Sequence, residues 1–214
     1  KNEEYVENEI VFSTVKKKII YNKEQIEVIG RIKSSLKLKK FSSNLLHGVT
    51  GSGKTEIFIE SIKTVMDMGK SSIVLIPEIS LTPQIAGRFK DVFGEVIALW
   101  HSQLTKAQRA KTWGRINTGE SKIVIGARSA IFSPIKNLGL IIVDEEHDAS
   151  YKQESPSPRY HARDVAIMRG KIESCSVILS SATPSLETFY NYKIKKHNYL
   201  SLPSRYGAAV YPKV

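Results

Sequence analysis

The stretch Gly48-Val49-Thr50-Gly51-Ser52-Gly53-Lys54-Thr55 constrains this chain more than any other. Glycines at this spacing let the backbone curl until its N–H groups face a chain of phosphates. The lysine then supplies a point charge for the β- and γ-phosphates, and the threonine hydroxyl can ligate Mg²⁺. A helix beginning there adds its unpaired N–H groups and positive dipole end. The flanks agree: Leu45-Leu46 precede as a strand, and Ile57, Ile59, Ile62, Val65 and Met66 follow at helical spacing. A strand, a phosphate loop and a helix in this order belong to a P-loop NTPase.

The rest of the pattern fits that beginning. Short apolar runs recur at Ile73-Val74-Leu75-Ile76, Val96-Ile97-Ala98-Leu99, Ile123-Val124-Ile125, Leu140-Ile141-Ile142-Val143 and Val177-Ile178-Leu179. They are continuous rather than alternating, as strands covered on both faces should be. Helical stretches are predicted at about 54–68, 82–93, 105–118, 161–173 and 184–193. A further helix from Asn22 should bury Ile26, Ile29, Ile32 and Leu36. Strand–helix alternation of this kind predicts an α/β fold, a doubly wound, mostly parallel sheet flanked by helices. Ligands in such folds sit at the carboxyl ends of the strands. Residues 1–21 read as a charged lead-in, 22–202 as the ATP-binding lobe, and 203–214 as the start of a linker to a second lobe. Both ends read as cuts in a longer protein.

A phosphate loop needs an acid at the end of another strand. Asp144-Glu145-Glu146-His147 follows Leu140–Val143 and supplies it. Asp144 is placed to hold Mg²⁺ through water, and Glu145 to polarise an attacking water. Gln25, upstream of the loop, has two readings: selection of adenine, or the third helical position of a capping box begun by Asn22. The 32 Lys and Arg residues against 21 Asp and Glu give a net charge of +11. That excess favours a polyanionic partner, most commonly nucleic acid. Cys175 is the sole cysteine, so neither an internal disulfide nor a cysteine-cluster zinc site can form within the sequence. It reads as a small core residue, and Trp113 in the helix 105–118 reads as core too. No apolar run reaches membrane-spanning length and the start is unlike a signal peptide, so no membrane is expected and the cytoplasm is the default compartment.

The Asp-Glu-x-His form of Asp144–His147, with Ser181-Ala182-Thr183 after the strand 177–179, resembles superfamily 2 helicases. The resemblance narrows through Gly48–Glu56, Pro77-Glu78-Ile79-Ser80-Leu81-Thr82-Pro83-Gln84, His101-Ser102-Gln103-Leu104, Gly126–Phe132, Asp144–Asp148 and Ser181–Glu187. The most specific block is Tyr151-Lys152-Gln153 leading to Pro158-Arg159-Tyr160-His161-Ala162-Arg163-Asp164. From about Asn22 to Glu187 the chain is similar to the PriA (primosomal protein N′) family of replication-restart helicases. Ala127 stands where the family pattern has Thr.

That resemblance implies a RecA-like first motor lobe of an ATP- and Mg²⁺-dependent 3′-to-5′ DNA helicase, active in primosome assembly at stalled forks. It implies single-stranded and forked DNA, restart proteins and single-strand binding protein as partners. Zinc is expected only in a cysteine-rich module outside this sequence, and an arginine finger only from the absent second lobe. Lys54, Asp144, Glu145 and His147 become the catalytic set, with Gln25, Gly48, Thr50, Gly51, Ser52, Gly53, Lys54 and Thr55 around the nucleotide. Ser181 and Thr183 would touch His147 and relay nucleotide state. DNA would meet Ser80, Thr82, Arg128 and Ser129, and the loop 148–163 through Tyr151, Lys152, Arg159, Tyr160 and Arg163. Against these stand an N-capping role for Ser80, an internal salt bridge for Arg128, a structural role for His101 and a plain proline-bearing linker for the loop. Rival readings are another superfamily 2 translocase, of restriction or remodelling type, and a DNA-binding scaffold with a vestigial nucleotide pocket.

Overall fold

Seven parallel strands form the sheet around which the chain is wound. The structure, a computed structural model, describes residues 20–206. Apart from residues 20–21 and 203–206, the lead-in and linker read from the sequence lie outside the described residues. In chain order the elements are α1 (Lys23–Lys37), β1 (Ser42–Gly48), α2 (Lys54–Asp67), β2 (Ser71–Leu75), α3 (Pro83–Phe93), β3 (Ile97–Trp100), α4 (Lys106–Thr118), β4 (Ile123–Gly126) and β5 (Leu138–Val143). There follow β6 (Lys152–Gln153), β7 (Tyr160–His161), α5 (Ala162–Ile172), β8 (Ser176–Ser181), α6 (Leu186–Lys193) and β9 (Asn198–Leu202). The sheet order is β3-β4-β2-β5-β8-β1-β9, while β6 and β7 pair separately as an antiparallel hairpin.

The continuous apolar runs are explained by the two faces they serve. Val74 and Ile76, Leu140 and Ile142, and Ile178 pack with Val28, Ile32, Ile57, Ile62 and Phe89 from α1, α2 and α3. Their alternate neighbours Ile73 and Leu75, Ile141 and Val143, and Val177 and Leu179 pack on the other face with Ile116 of α4 and Ala162 and Ala166 of α5. Side chains of successive strand residues point to opposite faces, so a strand buried on both must be apolar throughout. Among the described residues no helix is long and apolar enough to cross a membrane.

Three expectations are corrected. Ile26 is 59% exposed, and Val28 takes its place in the core. Gln25 is itself buried and shares a face with Val28, Ile29 and Ile32 at helical spacing, which turns Ile26 outward. Trp113 is 42% exposed and leans on Trp100 with ring centroids 5.5 Å apart, an edge pair rather than core. The cap of α3 is Thr82, whose hydroxyl accepts from Ile85 N–H at 3.4 Å, and not Ser80. The strand β9 carried too little apolar signal to be read, since only Leu200 and Leu202 of its five residues are buried.

Candidate functional site

All the loops that carry the sequence motifs emerge at the carboxyl rim of the sheet. At the end of β1 the phosphate loop turns through Gly51 and Gly53, at φ 79° and 85°, and α2 begins at Lys54. A Cβ on Gly53 would stand 2.4 Å from Gln25 Nε2 in a left-handed conformation, so the position excludes other residues. Ser52 N–H donates to Val49 C=O at 3.0 Å, closing the turn, and Val49 N–H donates to Leu202 C=O at 3.1 Å, tying it to β9. Thr50 and Gly51 are exposed at its crest, and Thr55 sits half-buried in the first turn of α2.

Gln25 holds this loop from beneath. Its Oε1 accepts from Asn22 N–H at 3.0 Å and its Nε2 donates to Ser52 C=O at 3.0 Å. The capping box is therefore formed, and its far end fixes the phosphate loop. With both ends of the amide engaged and the side chain fully buried, Gln25 serves here as a strut between α1 and the loop.

Lys54 is already satisfied from within. Its ammonium donates to Gly48 C=O at 3.1 Å and meets Glu145 Oε1 at 3.2 Å. Glu145 stands in the left-handed region at φ 44°, a conformation that costs a non-glycine residue energy and is most often found at functional sites. Its other oxygen lies 3.7 Å from His147 Nδ1, and that nitrogen is 2.8 Å from Ser181 Oγ. Ser181 Oγ also accepts from Thr183 N–H at 2.8 Å. A polar chain thus runs from the phosphate lysine at β1 through the acidic turn after β5 to the end of β8. Of the two hydroxyls expected beside His147, Ser181 makes the contact; Thr183 contributes its backbone N–H among the described residues.

Asp144 lies behind this chain. Burial, with the charge of Glu145, raises its pKa to about 6, although Lys54 pulls the other way. Asp144 Oδ1 and Ser52 Oγ are buried without a hydrogen-bond partner. The Ser180 hydroxyl steadies the Asp144 carboxylate electrostatically but stays outside hydrogen-bond geometry. An orphaned carboxylate oxygen beside a phosphate loop suits Mg²⁺, which keeps several waters and takes only one or two carboxylates. Among the described residues no three His, Cys, Asp or Glu side chains converge on a possible metal position. The ion would therefore rest on Asp144, Thr55 and the nucleotide's own phosphates.

Two residues assigned to DNA from the sequence face inward. Tyr151 is 0% exposed and its hydroxyl donates to Asp144 C=O at 2.7 Å, so it cannot stack on a base. Arg163 has an 11% exposed side chain, 3.2 Å from Glu146 Oε2 and 2.8 Å from Ser185 Oγ, so its charge does not face a phosphate. Arg163 belongs to a buried network around Glu146 that the sequence reading missed. Glu146 accepts from Arg163, from Ser185 N–H at 2.7 Å, from Ser185 Oγ at 3.1 Å and from Thr188 Oγ1 at 2.8 Å. In the sequence Glu146 stands beside Asp144 and Glu145 and received no role of its own.

The remaining candidates are outward or half-exposed. Arg128 makes no salt bridge among the described residues; it donates to Ser150 C=O at 3.2 Å and Lys152 C=O at 2.8 Å, and lies 5.8 Å over the Tyr160 ring. Tyr160 rests edge-on against Phe132 with centroids 5.0 Å apart. Lys152 pairs with Glu154 at 2.7 Å, and both Lys152 and Arg159 are exposed. A groove of about 300 Å³ is lined by Glu78, His101, Ser102, Arg109, Arg128 and Ser129. A second of about 320 Å³ adjoins it through Glu78 and His101 and includes Thr82. His101, read as structural, lines both; Ser80, half-buried in the 3₁₀ turn Glu78–Ser80, lines neither.

Residues 22–191 match the family model described as DEAD/DEAH box helicase. The chain is 50% identical over 186 residues to the replication restart protein PriA of Chlamydia pneumoniae, covering 87% of this chain and 25% of that protein. For the protein of the same name from Bacillus subtilis (strain 168) the identity is 49% over 191 residues, 89% of this chain and 24% of the relative. The chain thus spans about a quarter of the length of the curated relatives it matches. Among solved structures, RecG bound to a three-way DNA junction superposes with a TM-score of 0.67 at 21% identity, covering 90% of this chain and 25% of that one. The Pyrococcus furiosus Hef helicase domain gives 0.56 at 21% identity, covering 83% and 38%. At these identities the solved structures speak for the fold, a RecA-like helicase lobe.

Proposed function

The chain belongs to the DEAD/DEAH box helicase family, and we infer that it is the ATP-binding motor lobe of a 3′-to-5′ DNA helicase that acts in replication restart. The observation that carries this reading is the polar chain Lys54–Glu145–His147–Ser181, which links the phosphate loop to the end of β8. Bound Mg²⁺–ATP supplies the phosphoryl group to be cleaved. Lys54 exchanges Glu145 for the β- and γ-phosphates, and the backbone N–H groups of Gly51–Lys54 cradle them. Thr55 and Asp144 would hold the ion. Glu145, released from Lys54, is then free to take the proton of an attacking water. Because the same carboxylate neighbours His147, its release alters the contact to Ser181 and so the loop leading to α6.

DNA is the partner this reading requires, along the two adjoining grooves lined by Thr82, His101, Arg128 and Ser129. The test is ATP turnover by the full-length protein with and without forked DNA. Strong stimulation by a fork over an equal length of single strand supports restart. Turnover indifferent to DNA would refute the motor assignment. The isolated chain should turn over slowly, since an arginine from the second lobe typically contributes about 10³–10⁵-fold in related phosphoryl transfers.

A further inference from the structure

The amino rim of the sheet, opposite the nucleotide loops, carries a row of lysines set by the strands themselves. In their side-by-side order β9, β1, β8, β5, β2 and β4 are entered from Lys196, Lys40, Lys171, Lys136, Lys70 and Lys122. Each stands within five positions of its strand, the widest gap being Lys171 to Ser176. Adjacent strands are about 4.8 Å apart, so five steps make a row about 24 Å long. Local contacts agree with this order. Lys122 C=O accepts from Ser72 N–H at 2.9 Å, one residue past the start of β2, and Asn137 C=O accepts from Ser71 N–H at 2.9 Å. Lys171 lies 5.8 Å over the ring of Phe41, next to Lys40.

None of these six ammonium groups is in an ion pair among the described residues. The acids nearby are spoken for: Glu120 pairs with Arg115, Glu173 with Arg169 and Glu95 with Lys90. Asp67, at the end of α2 and three residues before Lys70, makes no ion pair among the described residues. Five of the six lysines are exposed and Lys70 is half-buried. Like charges in a row repel, and a polyanion relieves that repulsion.

We propose that this rim is a second nucleic-acid surface, which grips the phosphate backbone of duplex DNA without reading its sequence. The reading rests on charge placement and stands whether or not the lobe is a motor. A duplex carries one charge per about 1.7 Å of axis, so a 24 Å row can find a phosphate for each lysine. An acidic protein is the weaker fit, because protein interfaces are anchored by side chains in pockets. The depression between Lys39, Lys40 and Lys70 is only about 10 Å³, too small to admit one.

The test is duplex binding by the chain, followed by anisotropy of a labelled 20-base-pair duplex across a salt series. Lys40→Gln, Lys70→Gln, Lys136→Gln and Lys196→Gln together should cost about 10³-fold in affinity near 0.1 M salt. They should also flatten the salt slope by about three to four, the value for four lost phosphate contacts. Lys→Arg at the same four positions should preserve both. A control set removing the same charge, Lys23→Gln, Lys33→Gln, Lys63→Gln and Lys90→Gln, should change affinity less than twofold, with circular dichroism melts verifying the fold of each variant. Equal losses in the two glutamine sets would reduce the effect to net charge and overturn the proposal. So would unchanged duplex binding, including the case in which the rim variant loses only affinity for a polyglutamate peptide.

Discussion

At the carboxyl rim Lys54 meets Glu145 at 3.2 Å and Arg163 is folded onto Glu146 at 3.2 Å; at the amino rim Lys70, Lys122 and Lys136 meet no carboxylate among the described residues. Both rims are made by the same strands. The difference lies in solvent. Lys54 and Arg163 are taken partly out of water, where an unpaired charge is costly, and the fold supplies an internal acid for both. The lysines at the amino rim keep their hydration and need no partner. A pre-paired cation can exchange partners, as Lys54 is expected to do with a nucleotide. A hydrated one can only gain one. The comparison predicts large effects from single substitutions at the carboxyl rim and small ones at the amino rim.

The largest effect should come from Glu146→Ala. It removes the acceptor of four hydrogen bonds and leaves Arg163 buried without its counter-charge. Breaking a buried pair from one side costs about 3–5 kcal/mol. Urea unfolding measures this, and a loss below 1 kcal/mol would show the network to be incidental. Lys70→Gln, its counterpart on the amino rim, should stay within about 0.5 kcal/mol.

Lys54→Ala comes next. In the full-length protein it should lower ATP turnover by at least about 10²-fold, the usual consequence of losing one group that stabilises charge in the transition state. DNA binding should persist, because Lys54 faces Gly48 and Glu145 rather than either groove. Normal turnover would remove the phosphate-loop assignment, and with it the contrast between the rims.

The elements that the sequence revealed are those whose apolar residues answer to a single geometric period. The strands at 73–76, 123–125, 140–143 and 177–179, and the helices between them, all stand where expected. The phosphate loop was legible because its glycines have backbone reasons independent of tertiary structure. What stayed hidden depends on direction. The sequence places Tyr151 and Arg163 in a polar, proline-bearing loop, where an aromatic and a cation suggest DNA. It does not show that the loop folds back so that one reaches Asp144 C=O and the other Glu146. Gln25 shows the converse: the capping box is legible in Asn22-Lys23-Glu24-Gln25, but that the same amide also donates to Ser52 C=O and holds the phosphate loop depends on tertiary placement.

His197 offers a pH test at the edge of the same network. It is 7% exposed, and both ring nitrogens are buried without a partner. Burial lowers its pKa below 6.5; Glu146 opposes the shift, while Arg163 and Lys196 add to it. The unfolded chain therefore takes up a proton that the folded chain resists. Stability is fully present above pH 6.5 and is lost as pH falls towards the lowered value. The loss at pH 5 cannot exceed about 2 kcal/mol, since each unit is worth about 1.36 kcal/mol. His197→Leu should flatten the pH dependence of the melting temperature between 7 and 5. An unchanged profile would assign that dependence to other groups.

The smallest effect, and the one that discriminates most finely, is expected from Tyr151→Phe. The ring stays in the core, so the apolar burial is kept and only the hydrogen bond from its hydroxyl to Asp144 C=O is lost. That carbonyl begins the turn in which Glu145 is held at φ 44°, so the bond helps to fix the peptide that aims Glu145 at Lys54. A net loss of about 1 kcal/mol is expected, read in urea unfolding. Tyr160→Phe is the control, because its hydroxyl has no hydrogen-bond partner among the described residues and its ring is held by Phe132 instead. Phenylalanine stacks on a base much as tyrosine does, so affinity for single-stranded DNA should be unchanged in both variants. Equal stability of the two would show that the Tyr151 hydroxyl carries no share in positioning the acidic turn. A loss in Tyr151→Phe alone, with basal ATP turnover reduced in parallel, would identify it as a strut of the nucleotide rim.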